Sequence, residues 1–121
     1  LHLVKKLLQK NYKTKIIPCK TIRDRNNLAL SSRNYLLNKS NLVTAANISK
    51  QLANIKKKIK NEKNIRNFLM LEKNKLKNNY KIKIDYLELR NINNLKLSSI
   101  KKNSRLFIAY YLNNVRLIDN L

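Results

Sequence analysis

The spacing of apolar residues changes along the chain from a helical period to the two-residue period of a β-strand. Residues 1–10 place apolar side chains three or four positions apart, with lysines between them, and predict the end of an amphipathic helix that stops at Asn11. The same spacing predicts a second helix after Asn38, whose side chain can cap it, and a third helix over residues 63–78. The expected inward face of the second helix consists of Leu42, Ala45, Ile48, Leu52, Ile55 and Ile59.

Strands are predicted mainly in the last third of the chain. From Lys81 onward Ile82, Ile84 and Tyr86 alternate with other positions, so these three side chains are expected on one buried face. Residues 105–112 and 115–120 flank an Asn-Asn pair and predict a hairpin, because Asn tolerates the positive φ of a two-residue turn. A shorter β-like run over residues 15–19 ends at its proline, and Cys19 is expected to be half-buried there.

This order of elements favours an α+β fold with a boundary near residue 36. Helices and strands are segregated after that boundary, which is typical of α+β domains. Before it, a helix, a short strand and a polar loop follow one another, as in open α/β sheets that bind ligands at the carboxyl ends of their strands.

Composition narrows the classes of partner. The formal net charge is +22, from 28 Lys and Arg against 6 Asp and Glu, and such an excess usually indicates a polyanionic partner. Lys, Asn, Ile and Leu are over-used together while Gly is absent, however, which is the pattern expected of an AT-rich genome, so the charge is either functional or a result of codon usage. The single cysteine fits a reducing, cytoplasmic setting, and no apolar run is long enough to predict a membrane span.

The candidate binding residues lie in the stretch Leu28-Ala29-Leu30-Ser31-Ser32-Arg33-Asn34. Two adjacent hydroxyls and a guanidinium suit a phosphate chain, because Arg presents its donors as a rigid fork and Ser hydroxyls reach oxygens that the fork does not. The same residue types are common in loops and at helix starts. On their own they leave open whether this stretch is a phosphate site or a surface turn.

Three blocks of sequence resemble the pantothenate synthetase family, the ATP-dependent ligases that join pantoate to β-alanine. Thr21-Ile22-Arg23-Asp24, a polar turn and the Leu-Ala-Leu-Ser-Ser-Arg-Asn stretch are similar to that family's T-V-R-E-x-D-G-L-A-M-S-S-R-N signature. Residues 85–90 are similar to its D-Y-V-E-V-R block, and residues 115–120 to its R-L-I-D-N block. The blocks occur in the family's order across the whole chain, which makes the resemblance specific.

The resemblance implies a fold and a site. Residues 1–36 would end a Rossmann-like nucleotide-binding domain and carry the Ser-Ser-Arg-Asn loop, and residues 37–121 would form a carboxyl-terminal α+β lid domain. The implied ATP contacts are Leu30, Ser31, Ser32 and Arg33, with Ile22 against the nucleotide through its backbone. The family's histidines would precede Leu1, so no catalytic residue and no metal ligand is expected in this chain.

The resemblance also implies ligands and partners. These are ATP with Mg²⁺, pantoate and β-alanine, in a pathway that leads to pantothenate and coenzyme A. A homodimer would form through a preceding amino-terminal domain. No nucleic-acid or membrane partner is implied, and this chain by itself is expected to be inactive.

The chain departs from the family's signature at two positions of the turn before the loop. Asn27 stands where the family has Gly, so the turn requires Asn in a left-handed conformation or a rebuilt turn, and Asp24 replaces a Glu. Two alternative functions stay open. One is a small basic nucleic-acid-binding module. The net charge favours it, and the absence of a known nucleic-acid-binding motif disfavours it. The other is an inactive remnant of the ligase.

Overall fold

Helices precede a three-stranded sheet. The computed structural model describes residues 2–13 and 15–121. Its elements are α1 (His2–Asn11), a 3-10 helix (Ser32–Leu36), α2 (Lys39–Ile59), α3 (Ile65–Tyr80), β1 (Lys83–Asn91), β2 (Ser104–Leu112) and β3 (Val115–Asn120). This confirms the α+β prediction. Among the described residues, no helix combines the length and apolar character that a membrane span requires.

The two long helices begin where asparagine side chains cap them. The Asn38 side chain accepts a hydrogen bond of 2.8 Å from the Asn41 backbone N–H, so the predicted cap of α2 is confirmed. Asn64 caps α3 in the same way. The predicted inward face of α2 is buried except at Leu42, which lies exposed in the first turn. The helix α3 begins slightly later than predicted, because residues 60–64 form the connection.

The sheet is antiparallel in the order β1-β2-β3, and the predicted hairpin joins its last two strands. Leu112 pairs with Val115, so the turn consists of Asn113 and Asn114 alone. Of these two, Asn113 has the positive φ, at 51°. Positive φ at the first central position is a feature of the turns that match the twist of a hairpin.

A bulge in β1 reverses the alternation that the sequence predicts. Ile84 and Tyr86 pair with consecutive residues of β2, so Asp85 is the extra residue on its strand. Ile84 is buried as expected, but after the bulge Leu87 and Leu89 point into the core and Tyr86 is only half-buried. The expectation that Tyr86 shares the buried face of Ile84 is therefore wrong.

The segment before the loop differs most from prediction. Residues 15–19 form no strand, and Cys19 is exposed rather than half-buried. A strand needs a neighbour for its backbone hydrogen bonds, and no described segment pairs with these residues. The helix α1 is confirmed, although its Val4 and Leu7 side chains are exposed.

The core lies between α2, α3 and one face of the sheet. Its most buried large side chains come from α2 and from the central strand β2, and they are Ile48, Leu52, Ile55, Leu106, Ile108 and Tyr110. Leu28 and Leu37, from the segment between α1 and α2, join the same cluster. The Ser-Ser-Arg-Asn loop is therefore attached at both ends to the core of the second part of the chain.

Truncation of Leu52, which is fully buried in α2, should destabilise the fold strongly. We expect Leu52→Ala to lower the free energy of unfolding by about 2–5 kcal/mol, because it leaves a cavity among packed side chains. Leu71→Ala, at a half-exposed position of α3, should change it by less than about 0.5 kcal/mol. Urea unfolding followed by circular dichroism measures both, and equal losses would contradict the described core.

Tyr110 should make the stability fall at alkaline pH. Burial raises the pKa of its hydroxyl well above the usual value, and the nearby negative charge of Asp119 raises it further. In the unfolded chain the same group loses its proton near pH 10, so above that pH the folded state holds more protons and stability declines by at most about 1.4 kcal/mol per pH unit. In Tyr110→Phe this part of the decline should disappear, which urea unfolding between pH 9 and 11 will test.

Candidate functional site

A short hairpin over residues 21–30 leads into the loop. Arg23 and Ala29 form an isolated antiparallel bridge. The backbone N–H of Leu30 donates a hydrogen bond of 3.0 Å to the carbonyl of Ile22. These bonds fix the direction in which the chain enters the Ser-Ser-Arg-Asn stretch.

The turn of this hairpin is built by Asp24 and Asn27. One carboxylate oxygen of Asp24 accepts hydrogen bonds from the backbone N–H groups of Asn26, at 2.8 Å, and Leu28, at 2.9 Å. Asn27 has a φ of 68°, in the left-handed region. The first of the two alternatives for this turn is therefore correct: Asn takes the left-handed conformation, which a short polar side chain tolerates.

Ser31 caps the 3-10 helix and shapes the loop. Its hydroxyl oxygen accepts a hydrogen bond of 3.2 Å from the backbone N–H of Arg33, and its carbonyl accepts one of 3.0 Å from the N–H of Asn34. The Asn34 side-chain amide donates a bond of 3.1 Å to the carbonyl of Ala29. Because the Ser31 hydroxyl acts here as an acceptor, its own hydrogen stays available to a ligand.

The loop has buried ends and an exposed middle. Leu28 and Leu37, which are 6% and 7% exposed, lie in the core on either side of it. Between them Ser31, Ser32 and Arg33 are all exposed. The guanidinium of Arg33 makes no hydrogen bond to any other described residue, so its donors face solvent in a segment held at both ends.

An ion pair ties this segment to the last strand. Nη1 and Nη2 of Arg23 donate to the two carboxylate oxygens of Asp119 at 2.7 and 2.8 Å, and the two side chains are only 19% and 7% exposed. Arg23 also donates to the carbonyls of Asn27, at 2.9 Å, and Asn120, at 3.1 Å. The hydrogen bonds to Asp119 raise the pKa of Arg23, so its guanidinium stays charged.

A cavity of about 260 Å³ opens between the loop and the second part of the chain. Its lining includes Thr21, Leu30, Ser31 and Arg33 on the loop side, and Ser49, Tyr110 and Asp119 on the other side. This volume lies just below the range of about 300–1,000 Å³ that is usual for small-molecule pockets, so the cavity is sized for part of a ligand.

The predicted binding residues are not all in one place. Leu30, Ser31 and Arg33 line the cavity, whereas Ser32 and Ile22 are exposed outside its lining. A larger hollow of about 520 Å³ lies beside the Asn113-Asn114 turn and shares no lining residue with this one. Among residues 2–13 and 15–121, no group of three or more His, Cys, Asp or Glu side chains could hold a metal ion.

Sequence reasoning missed four residues at this site. Arg23 and Asp119 had a signal, because they carry opposite charges and lie in two of the three matched blocks. Ser49 had a weaker signal as a small hydroxyl next to the apolar face of α2. Tyr110 had none, because in sequence it is one more apolar position of a buried strand.

Comparison with known proteins supports the resemblance over the whole chain. The family model described as pantoate-beta-alanine ligase matches residues 1–121. Pantothenate synthetase of Flavobacterium psychrophilum is 36% identical over 125 residues, which cover 100% of this chain and 44% of the relative. That of Helicobacter pylori strain Shi470 is 40% identical over 121 residues, which cover 99% and 42%. The chain thus spans less than half the length of these curated relatives.

Solved structures agree with the fold. Pantothenate synthetase from Thermus thermophilus matches with a TM-score of 0.85 and 23% identity, over 98% of this chain and 44% of that one. Pantoate-beta-alanine ligase from Francisella tularensis, complexed with beta-gamma ATP and beta-alanine, matches with a TM-score of 0.69 and 32% identity, over 98% and 38%. The resemblance of the three sequence blocks is confirmed, and the chain belongs to the pantoate-beta-alanine ligase family.

Proposed function

We propose that this chain is the carboxyl-terminal part of a pantothenate synthetase and supplies its triphosphate-binding loop and lid. The observation that carries the proposal is an exposed Ser-Ser-Arg sequence held between two buried leucines beside a cavity. The chain's family and the Francisella tularensis relative complexed with beta-gamma ATP and beta-alanine support ATP and β-alanine as ligands. The proposal includes pantoate as the third ligand, a cytoplasmic homodimer, and inactivity of the isolated chain. The division at residue 36 stays a prediction.

The proposed reaction has two steps. A carboxylate oxygen of pantoate attacks the α-phosphorus of ATP, the bond to the β-phosphate breaks, and pyrophosphate leaves with the electron pair. The amine of β-alanine then attacks the acyl carbon of pantoyl adenylate, loses a proton and displaces AMP. Negative charge accumulates on the leaving pyrophosphate in the first step, and this is where donors of the loop would act.

Arg33 is the proposed main contact with the triphosphate. Its exposed guanidinium can donate two parallel hydrogen bonds to phosphate oxygens, which fixes both distance and orientation. The hydroxyls of Ser31 and Ser32 would donate to oxygens that the fork does not reach. Leu30 would contribute apolar contact, and Ile22 would face the nucleotide with a carbonyl that retains one lone pair beside its bond to Leu30.

The residues around the loop do not fit a resident magnesium site. Of the two carboxylates nearby, Asp119 has both oxygens bound by Arg23 and Asp24 has one oxygen bound by two backbone N–H groups, and no group of three possible ligands occurs among the described residues. Mg²⁺ is commonly held by substrate phosphates with few protein ligands. We therefore treat Mg²⁺ as entering with ATP, as part of the substrate.

Replacement of Arg33 should impair use of ATP. The test is a chimera in which this chain replaces the matching 42% of Helicobacter pylori pantothenate synthetase. We expect Arg33→Gln to lower kcat/KM for ATP by about 100-fold, measured by pyrophosphate release, since it removes donors aimed at the leaving group. Arg33→Lys should stay at least about 10-fold low, because Lys keeps the charge but not the fork.

The control is Arg66→Gln, which removes the same charge from an exposed position of α3. It should leave kcat/KM for ATP within about two-fold of the parent, as expected for a remote surface charge. A second readout uses the 121-residue chain, in which ATP should shift the amide resonances of Ser31–Arg33. If Arg33→Gln and Arg66→Gln behave alike in both measurements, the proposed role of the loop is wrong.

Charge favours the alternative of a nucleic-acid-binding module, and the affinity for RNA at about 150 mM salt tests it. Lys50, Lys56 and Lys57 are exposed along α2 and Lys60 directly after its end, within a chain of net charge +22. If this charge is not functional, single-stranded RNA should bind with a Kd no tighter than about 1 µM at 150 mM salt, which is the range of non-specific binding. Fluorescence anisotropy measures the Kd. A Kd of about 10 nM at that salt, with preference for one RNA sequence, would support the alternative instead.

A further inference from the structure

The ion pair between Arg23 and Asp119 joins two segments that are 96 positions apart in sequence. Its two hydrogen bonds run in parallel, from the two terminal nitrogens of Arg23 to the two carboxylate oxygens of Asp119. A contact of this kind fixes orientation as well as distance, because both groups are planar. It is therefore a directional connection between the start of the loop and the end of the sheet.

Each partner is itself held by its own segment. Arg23 is bridged to Ala29 and donates to the carbonyl of Asn27, so its guanidinium is bound to the hairpin that leads into the loop. Asp119 lies in β3, paired with Ile108 of the central strand, and one of its oxygens accepts the backbone N–H of Asn120 at 2.7 Å. A displacement of the hairpin against the sheet would have to break this pair.

The apolar contacts of the loop cannot supply the same constraint. Leu28 and Leu37 hold the loop against the core, but hydrophobic contact is non-directional and permits small rotations. Arg33, which comes from the loop, and Asp119, which comes from the sheet, both line the same cavity. The ion pair therefore sets the position of one wall of the cavity relative to the other.

We infer that Arg23 and Asp119 are a positioning pair, which makes the Ser31–Arg33 loop and the sheet approach the triphosphate of ATP as one rigid body. This inference rests on the proposed function. Neither side chain is a catalytic residue. They act through the loop, by keeping its donors at the place where the phosphates bind.

The experiment measures KM for ATP and for β-alanine separately in the chimera described above. In Arg23→Lys, which keeps the charge but loses the fork, KM for ATP should rise about 10-fold while KM for β-alanine stays unchanged. A merely structural role would lower the melting temperature and the fraction of active enzyme, without a selective change of KM for ATP. Asp119→Asn, which retains a hydrogen-bond acceptor, should show the same selectivity if Arg23→Lys does not fold.

The matched control is Arg116→Gln, which breaks the ion pair of Arg116 with Asp85 in the same sheet, at 2.9 Å. It should leave both KM values unchanged. In the 121-residue chain, ¹⁵N order parameters of Ser32–Asn34 should fall from about 0.85 to below about 0.6 in Arg23→Lys and not in Arg116→Gln.

The outcomes separate this inference from the proposed function. If Arg33→Gln impairs use of ATP but both pair variants keep the parent KM for ATP and the parent order parameters, the positioning pair is refuted and the proposed function stands. If Arg33→Gln has no effect either, the proposed function fails and this inference fails with it. A selective rise in KM for ATP together with lower order parameters supports the pair.

Discussion

The exposed donors of the loop keep their arrangement because the segment that carries them is fixed at its ends. A segment of this kind has no ladder of regular hydrogen bonds along its length, so its shape depends on a few anchors. Here the anchors are two buried leucines, the turn held by Asp24, the cap made by Ser31, and the Arg23–Asp119 pair. Asp119 is nearly removed from water and Arg23 is partly so, and loss of Arg23 would leave the carboxylate of Asp119 buried without a partner charge. The loop and the sheet therefore depend on each other.

The same contact brings together two of the matched blocks that lie far apart in sequence. The first contains Arg23 and the Ser-Ser-Arg sequence, and the last contains Asp119. In the fold they meet at one cavity, so a ligand placed there would contact the first and the last of the matched blocks. Because the lining of this cavity comes from both segments, the candidate site would lose one wall if the chain were divided between them.

Local sequence signals predicted the helices and the hairpin. Contacts between distant segments account for the features that were predicted wrongly. Asn38 and the apolar stripe of α2 act within a few residues, and so does the Asn113-Asn114 turn, which is why periodicity sufficed. The bulge at Asp85 is set by pairing with β2, and no feature of β1 alone reveals it. Residues 15–19 have the composition of a strand without a neighbour to pair with among the described residues. At the candidate site, the hydrogen-bond donors of the Ser-Ser-Arg sequence were evident from residue type. The pairing of Arg23 with Asp119 became evident only from the fold.

Left-handed backbone conformations lower the thermal stability of this glycine-free chain. Within residues 2–13 and 15–121, five residues have positive φ, and they are Asn27, Lys81, Leu95, Asn103 and Asn113. A left-handed conformation costs a residue with a Cβ roughly 1–2 kcal/mol, less for Asn, so several kcal/mol of strain accumulate in a molecule of this size. Each kcal/mol corresponds to about 4–8 °C of melting temperature in a small domain. The tight turns that shape the loop and close the hairpin thus narrow the range of temperature over which this protein stays folded.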